Sequence, residues 1–177
     1  MQSGGSKSMF RLYLAVLTAS FFLLTSIHTM AAGNISVSKT IAIDAPAAEV
    51  WAKVKDFNAL NTWHPAVAKT EILAGENNKV GATRLLTLND GGTIEEDLLA
   101  WDEATMTYSY NIIQSVLPVS NYEATLTVEP ITGTSTKVIW SASFNAGKGA
   151  DDDTARNTIS GIFDAGLENL TKILTAQ

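Results

Sequence analysis

Residues 84–102 read RLLTLNDGGTIEEDLLAWD. Leu86, Leu88, Ile94 and Leu98 all fall on even positions, on both sides of an Asn89-Asp90-Gly91-Gly92 break. A period of two marks strands with one buried face, and a short Gly-containing break joins such strands as an antiparallel hairpin. The parity continues through Ile112, then Ala124, Leu126 and Val128, then Val138, Trp140, Ala142 and Phe144. Asp97, Glu123, Glu129 and Lys137 occupy odd positions, so even reads as inward. Four polar residues interrupt the inward side: Arg84, Glu96, Tyr108 and Tyr110.

A buried charge is costly unless paired, so Arg84 and Glu96 are expected to be partners or ligand contacts. Their reach depends on the hairpin. A three- or five-residue loop keeps even opposite even and brings Arg84 opposite or diagonal to Glu96. A two-residue Asp90-Gly91 turn sets Asp97 against Arg84 instead. In a pocket, an Arg–Glu pair orients a polar group or moves a proton; in a core, it is a structural ion pair. Tyr108, Tyr110 and Tyr122 serve either as cavity walls with a hydroxyl or as core tyrosines bonded to backbone.

Working outward, Ile35, Val37, Ile41 and Ile43 predict a first strand over 35–43. Pro46, Glu49 and the spacing of Val50, Trp51, Val54 and Phe57 predict a short amphipathic helix over 46–57. Asn58 to Pro65 reads as a loop or single helical turn. Strands are then expected at 67–74, 80–88, 93–101, 105–114, 119–129 and 135–145. Asp151, Asp152, Asp153 and Thr154 supply cap and charge for a long last helix, about Thr154 to Leu174. Ile159, Ile162, Phe163, Gly166, Leu170, Ile173 and Leu174 form its apolar stripe. Gly166 on that stripe either leaves room beside the helix or lets it pack close to the sheet. The layout is α+β.

The chain has 177 residues, 46% hydrophobic and 17% charged, and a net charge of −6. That acidity argues against nucleic acid or an anionic membrane surface as the main partner. The absence of cysteine excludes disulfides, thiolate metal sites and a cysteine nucleophile. At the N-terminus, Lys7 and Arg11 precede the uncharged run LYLAVLTASFFLL, Leu12 to Leu24, and small residues follow at Ala31 and Ala32. A basic start, a short apolar stretch and small residues describe a secretory signal peptide over 1–32, with an uncleaved anchor helix as the alternative. The run falls short of the roughly 20 residues that span a bilayer. Removing 1–32 takes away Lys7, Arg11 and no acid, so the net charge passes from −6 to −8. It leaves one domain over 33–177, with His64 as its sole histidine. Such an exported, cysteine-free chain fits a periplasm. His64, in Trp63-His64-Pro65, is a general-base candidate or a structural loop histidine.

The segments 37–67, 84–102, 108–112 (YSYNI) and 117–128 (LPVSNYEATLTV) resemble the polyketide cyclase/dehydrase branch of the START and Bet v 1-like superfamily. The resemblance covers essentially the whole mature chain. It implies a helix-grip fold: a seven-stranded antiparallel sheet wrapped around a long C-terminal helix, with two short helices after strand 1. The leader together with WHP, TLNDGG and LPVSNY is similar to the exported accessory type of bacterial methanol oxidation, the MxaD type. Members of that type are associated with a periplasmic methanol dehydrogenase and its cytochrome electron acceptor. Arg84 and Glu96 also match, by residue type and strand, the pocket arginine and glutamate of plant lachrymatory-factor synthase, although the segment between them is shorter here.

The expected ligand-binding set is Trp63, His64, Arg84, Glu96, Tyr108, Tyr110, Tyr122, Trp140 and Phe163. The expected ligand is a small apolar or amphipathic molecule. A periplasmic dehydrogenase or its cytochrome is the expected protein partner. No metal, cofactor, nucleic acid or membrane contact after signal cleavage is anticipated. The reading favours a binder over an enzyme. The alternative is a cyclase, dehydratase or isomerase with Arg84 and Glu96 as its catalytic candidates.

Overall fold

A computed structural model describes residues 33–176 together with Met1. The signal-peptide expectation for 1–32 therefore lies outside the described residues. Ten elements follow one another: β1 (Ile35–Ile43), α1 (Ala47–Val54), a 3₁₀ turn (Leu60–Thr62), β2 (Val67–Ala74), β3 (Thr83–Leu88), β4 (Thr93–Asp102), β5 (Thr107–Ser115), β6 (Val119–Pro130), β7 (Thr136–Ala146) and α2 (Asp152–Thr175). All strand pairs are antiparallel, and the seven-stranded sheet has the order β1-β7-β6-β5-β4-β3-β2. The chain lays down β1 as one edge, crosses to the other edge and meanders back to pair β7 with β1. The helix-grip α+β fold is thus the architecture. Of the two short helices expected after strand 1, the second is a single 3₁₀ turn.

The β3–β4 hairpin turns through Asn89, Asp90 and Gly91. The Leu88 N–H donates to Gly92 O at 2.8 Å, and Gly91 takes a φ of +87°. A three-residue loop with glycine in the left-handed position is a favoured hairpin closure. It keeps even opposite even, so Arg84 faces Glu96 and Leu86 faces Ile94.

Several boundaries differ from the sequence reading, most by a single residue, and three have a clear local cause. α1 stops at Val54, not at 57. Asp56 ends it by accepting from the Asn58 N–H at 2.9 Å, while Asn78 Oδ1 takes the Phe57 N–H at 2.8 Å. Phe57 still reaches the core, from the turn. β3 begins at Thr83, not 80, because Gly81 at φ +86° redirects the chain and leaves Val80 exposed. β5 begins at Thr107, not 105: Asp102 Oδ1 accepts from the N–H groups of Ala104 and Thr105, and Met106 sits at φ +48°.

α2 is capped by Asp151, whose carboxylate accepts from the Thr154 N–H at 2.7 Å. Ile159, Phe163, Leu167 and Leu170 are buried along its sheet-facing side. Gly161 lies on the opposite, exposed side. No helix among the described residues is long and apolar enough to cross a membrane.

Candidate functional site

Arg84 and Glu96 are paired directly across β3 and β4, with side chains 1% and 5% exposed. Arg84 Nε donates to Glu96 Oε2 at 2.7 Å, and Nη2 forms an ion pair with the same oxygen at 2.6 Å. Nη1 donates to the Phe57 carbonyl. The guanidinium carbon lies 3.9 Å from the centre of the Phe57 ring and 5.3 Å from that of Tyr110. Arg84 is therefore enclosed on all its functional edges. Burial opposes its charge, but Glu96 and the neighbouring Tyr108 and Tyr110 hold its pKa above the ordinary value. Burial likewise pushes the Glu96 carboxyl above the usual carboxylate range, with Arg84 pulling the other way. Both contacts use Oε2; Oε1 takes no hydrogen bond from the described residues.

His64 is buried in the loop after the 3₁₀ turn. Its Nδ1 accepts from the Ala66 N–H at 3.2 Å. Its Nε2 lies 3.0 Å from the carbonyl oxygen of Ile162 on α2. A carbonyl only accepts, so Nε2 carries the proton and the ring is neutral. Burial lowers its pKa, which the Ile162 hydrogen bond opposes and the nearby Arg84 charge reinforces. With both nitrogens occupied, His64 pins the loop to α2 and is not a free general base. Asn169 donates to the Trp63 carbonyl at 2.9 Å and Asn89 to that of Pro65 at 2.8 Å, so the loop is held from helix and hairpin alike. Gly166 makes this closeness possible: a Cβ there would stand 2.7 Å from His64 Cδ2 and 2.9 Å from Trp140 Cζ3. Of the two readings of Gly166, close packing is the observed one.

A cavity of about 80 Å³ lies between α2 and the inner face of the sheet. Ile159, Ile162 and Phe163 form its helix wall. Leu86, Ile94 and Ile112 contribute from the sheet, and Leu60 and Leu117 from the loops. Among its lining residues, only His64, Glu96, Tyr110, Tyr122 and Trp140 carry polar side-chain atoms. Trp140 Nε1 donates to the Tyr110 hydroxyl at 3.0 Å, and the His64 nitrogens are both engaged. Of the polar lining residues, Glu96 has an oxygen, Oε1, that takes no hydrogen bond from the described residues, and the paired hydroxyls of Tyr110 and Tyr122 have one proton left to donate. Burial raises the pKa of Tyr110 and Tyr122, so both are protonated donors near neutral pH.

Of the nine expected binding residues, His64, Glu96, Tyr110, Tyr122, Trp140 and Phe163 border this cavity, whereas Trp63, Arg84 and Tyr108 do not. Trp63 is buried against Trp140, with ring centroids 5.5 Å apart. Tyr108 is buried among Trp51, Phe57 and Tyr110, and its hydroxyl is pushed up to about 12 by burial. The inward parity of Tyr108 and Arg84 is right, but the space they enter is filled by side chains arriving from α1 and its following turn. The aliphatic wall went unassigned in the sequence because an apolar inward residue looks the same whether it faces a void or a neighbour.

β5 and β6 pair only from Thr107↔Thr127 to Asn111↔Glu123. Beyond that, Asn121 at φ +48° sits in a bulge of β6 between Ser120 and Glu123, and a cleft of about 270 Å³ opens between the two strands. Ile112 and Tyr122 line both this cleft and the inner cavity.

Known proteins agree with this architecture. XoxI of Bacillus cereus is 28% identical, with a TM-score of 0.73 over 78% of this chain and 94% of its own. A protein of Thermobifida fusca is also 28% identical, at a TM-score of 0.70 over 80% of this chain and 93% of its own. A START superfamily protein of Mycobacterium smegmatis, at 18% identity, shares the fold with a TM-score of 0.68 over 80% of this chain and 97% of its own. No curated protein matches the sequence. The family described as polyketide cyclase / dehydrase and lipid transport matches residues 34–175, and the chain belongs to that family.

Proposed function

We propose that the mature chain is an exported, periplasmic protein that holds a small, mostly apolar molecule between α2 and the sheet. One observation carries the reading: an apolar cavity ends on a buried carboxylate whose second oxygen has no partner among the described residues. Buried polar atoms are ordinarily satisfied, and a free one at a cavity wall is a place for a ligand or an ordered water. The family's description, which includes lipid transport, is consistent with a binder. The test is native mass spectrometry of the protein purified from its own host. A mass excess that disappears on denaturation is expected; protein that carries nothing and takes up no small apolar molecule contradicts the reading. Sequencing of the N-terminus is expected to begin at Ala32 or Gly33, and an intact N-terminus on membrane-bound protein contradicts export.

The finer role is that of accessory factor to a periplasmic methanol or other quinoprotein dehydrogenase, or to its cytochrome. It rests on the resemblance of the leader and of the WHP, TLNDGG and LPVSNY segments. Capture of such a dehydrogenase or cytochrome by the tagged protein in the periplasm is the expected result, and a clean negative from cells expressing both removes it. A catalytic reading, as a cyclase, dehydratase or isomerase, is favoured by one feature, the raised carboxyl of Glu96 at the cavity. Arg84 would act there only through Glu96. Turnover by the wild type that is lost in a folded Glu96→Gln variant would establish it.

A further inference from the structure

The polar end of the cavity is asymmetric in a way that selects ligand chemistry. Arg84 is 1% exposed, directs each of its three nitrogens at Glu96 or the Phe57 carbonyl and does not line the cavity, so no cationic group faces the cavity from β3. Glu96, on β4, borders the cavity, and its Oε1 has no partner among the described residues. That oxygen accepts hydrogen bonds. Beside it stands Tyr110, whose oxygen takes the Trp140 N–H and whose hydroxyl pairs with that of Tyr122, so one phenol proton of the pair is left to donate. Tyr122 adds a second hydroxyl from β6. The carboxylate and guanidinium cancel, so the site as a whole offers no net charge to neutralise an ion. An anion meets Glu96 at close range, and a cation must be desolvated beside Arg84. A ketone or ether accepts from a tyrosine but leaves Oε1 unpaired. A hydroxyl does both: it donates to Oε1 and accepts from a phenol.

Size narrows this further. An engineered cavity of about 150 Å³ takes benzene, and a water occupies about 30 Å³ of liquid. A space of about 80 Å³ therefore suits roughly three to five non-hydrogen atoms. Apolar walls from Ile94, Ile112, Ile159 and Phe163 suit a short hydrocarbon tail. Resting on the ligand-binding reading above, we infer that the cavity is built for a short-chain, uncharged alcohol, with its hydroxyl between Glu96 Oε1 and the tyrosine hydroxyls and its tail toward α2.

The experiment is an NMR titration of the mature protein, following the Trp140 indole and the Ile112 and Ile159 methyl signals. The probes are 1-butanol, 2-butanone, propanoate, n-butylammonium and cyclopentane. A hydrogen bond to a charged group is expected to give 1-butanol roughly tenfold or more tighter binding than any of the other four. In Glu96→Gln, which still offers Arg84 an oxygen but turns an amide N–H to the cavity, the gap between 1-butanol and 2-butanone is expected to close to about threefold or less. The wild-type ranking decides the matter even if that variant does not fold. Equal binding of all five probes, or a preference for propanoate, butylammonium or 2-butanone, overturns the alcohol assignment while leaving a binding cavity. Signals unmoved by every probe, cyclopentane included, overturn the binding reading and this inference with it.

Discussion

The two ends of the core use similar side chains to opposite effect. Beneath α1, Trp51, Phe57 and Tyr108 close on one another, and the Arg84 guanidinium fills the remaining space against Phe57. Beneath α2, Trp140 stacks on Phe163 at 4.3 Å between ring centroids and His64 meets Trp140 edge-on, yet a cavity remains. Aromatic content does not separate them. What separates them is that the α1 end has a long cationic side chain as filler, whereas the α2 end has none. Glu96 stands at the boundary, with Oε2 turned to the closed end and Oε1 left at the open one. The comparison teaches that one ion pair can be structural on one side and a binding wall on the other.

The most severe way to break this division is to remove the boundary. Arg84→Ala or Glu96→Ala leaves an uncompensated buried charge and is expected to cost about 3–5 kcal/mol in chemical denaturation. The double variant should cost less than the two single losses added together; simple additivity would show that the pair is not coupled. Next comes the helix that roofs the cavity. Leu170, 0% exposed, should cost about 2–5 kcal/mol when truncated to alanine. A loss under about 1 kcal/mol would place it outside the core.

Two glycines on the same helix sharpen the contrast. Gly166→Ala drives a methyl into the His64 and Trp140 rings and should destabilise by about 1–3 kcal/mol. Gly161→Ala meets nothing within 4 Å and should gain up to about 1 kcal/mol from helix propensity alone. Effects of the same sign would contradict the packing described.

The smallest effect is the response of His64 to pH. Its folded pKa lies below the ordinary 6.5 because burial disfavours the charged ring. Below pH 6.5 the unfolded chain takes a proton that the native state refuses. Stability from this residue is therefore full above pH 6.5, falls as pH drops toward the folded value, and is constant below it. Urea midpoints between pH 7 and 5 should decline less in His64→Gln than in wild type; parallel declines would assign the acid sensitivity elsewhere.

The parity of residues 84–102 made the sheet's inner face legible and placed Arg84 and Glu96 on it, because a strand's side chains alternate whatever lies above them, while their pairing hung on a loop length that parity does not give. The acidic cap and stripe of α2 were readable for the same local reason. Position along the strands was not. Parity says that Tyr108 and Arg84 point inward, but not that α1 and Phe57 cover that end. Nor does a glycine in a helix announce that a histidine 102 positions earlier, His64 against Gly166, packs where its side chain would be. The bulge in β6 at Asn121, beyond which the strand no longer pairs with β5, carried no signal beyond an asparagine able to adopt positive φ.

The most direct test of the central claim is xenon derivatisation of crystals of the mature protein, since xenon seeks dry apolar voids of this kind. The account predicts a xenon atom between α2 and the sheet, in van der Waals contact with Ile159 and Trp140, and none beneath α1 among Trp51, Phe57 and Tyr108. Xenon bound only in the β5–β6 cleft or beneath α1, or a solidly packed space at Ile159, would contradict it.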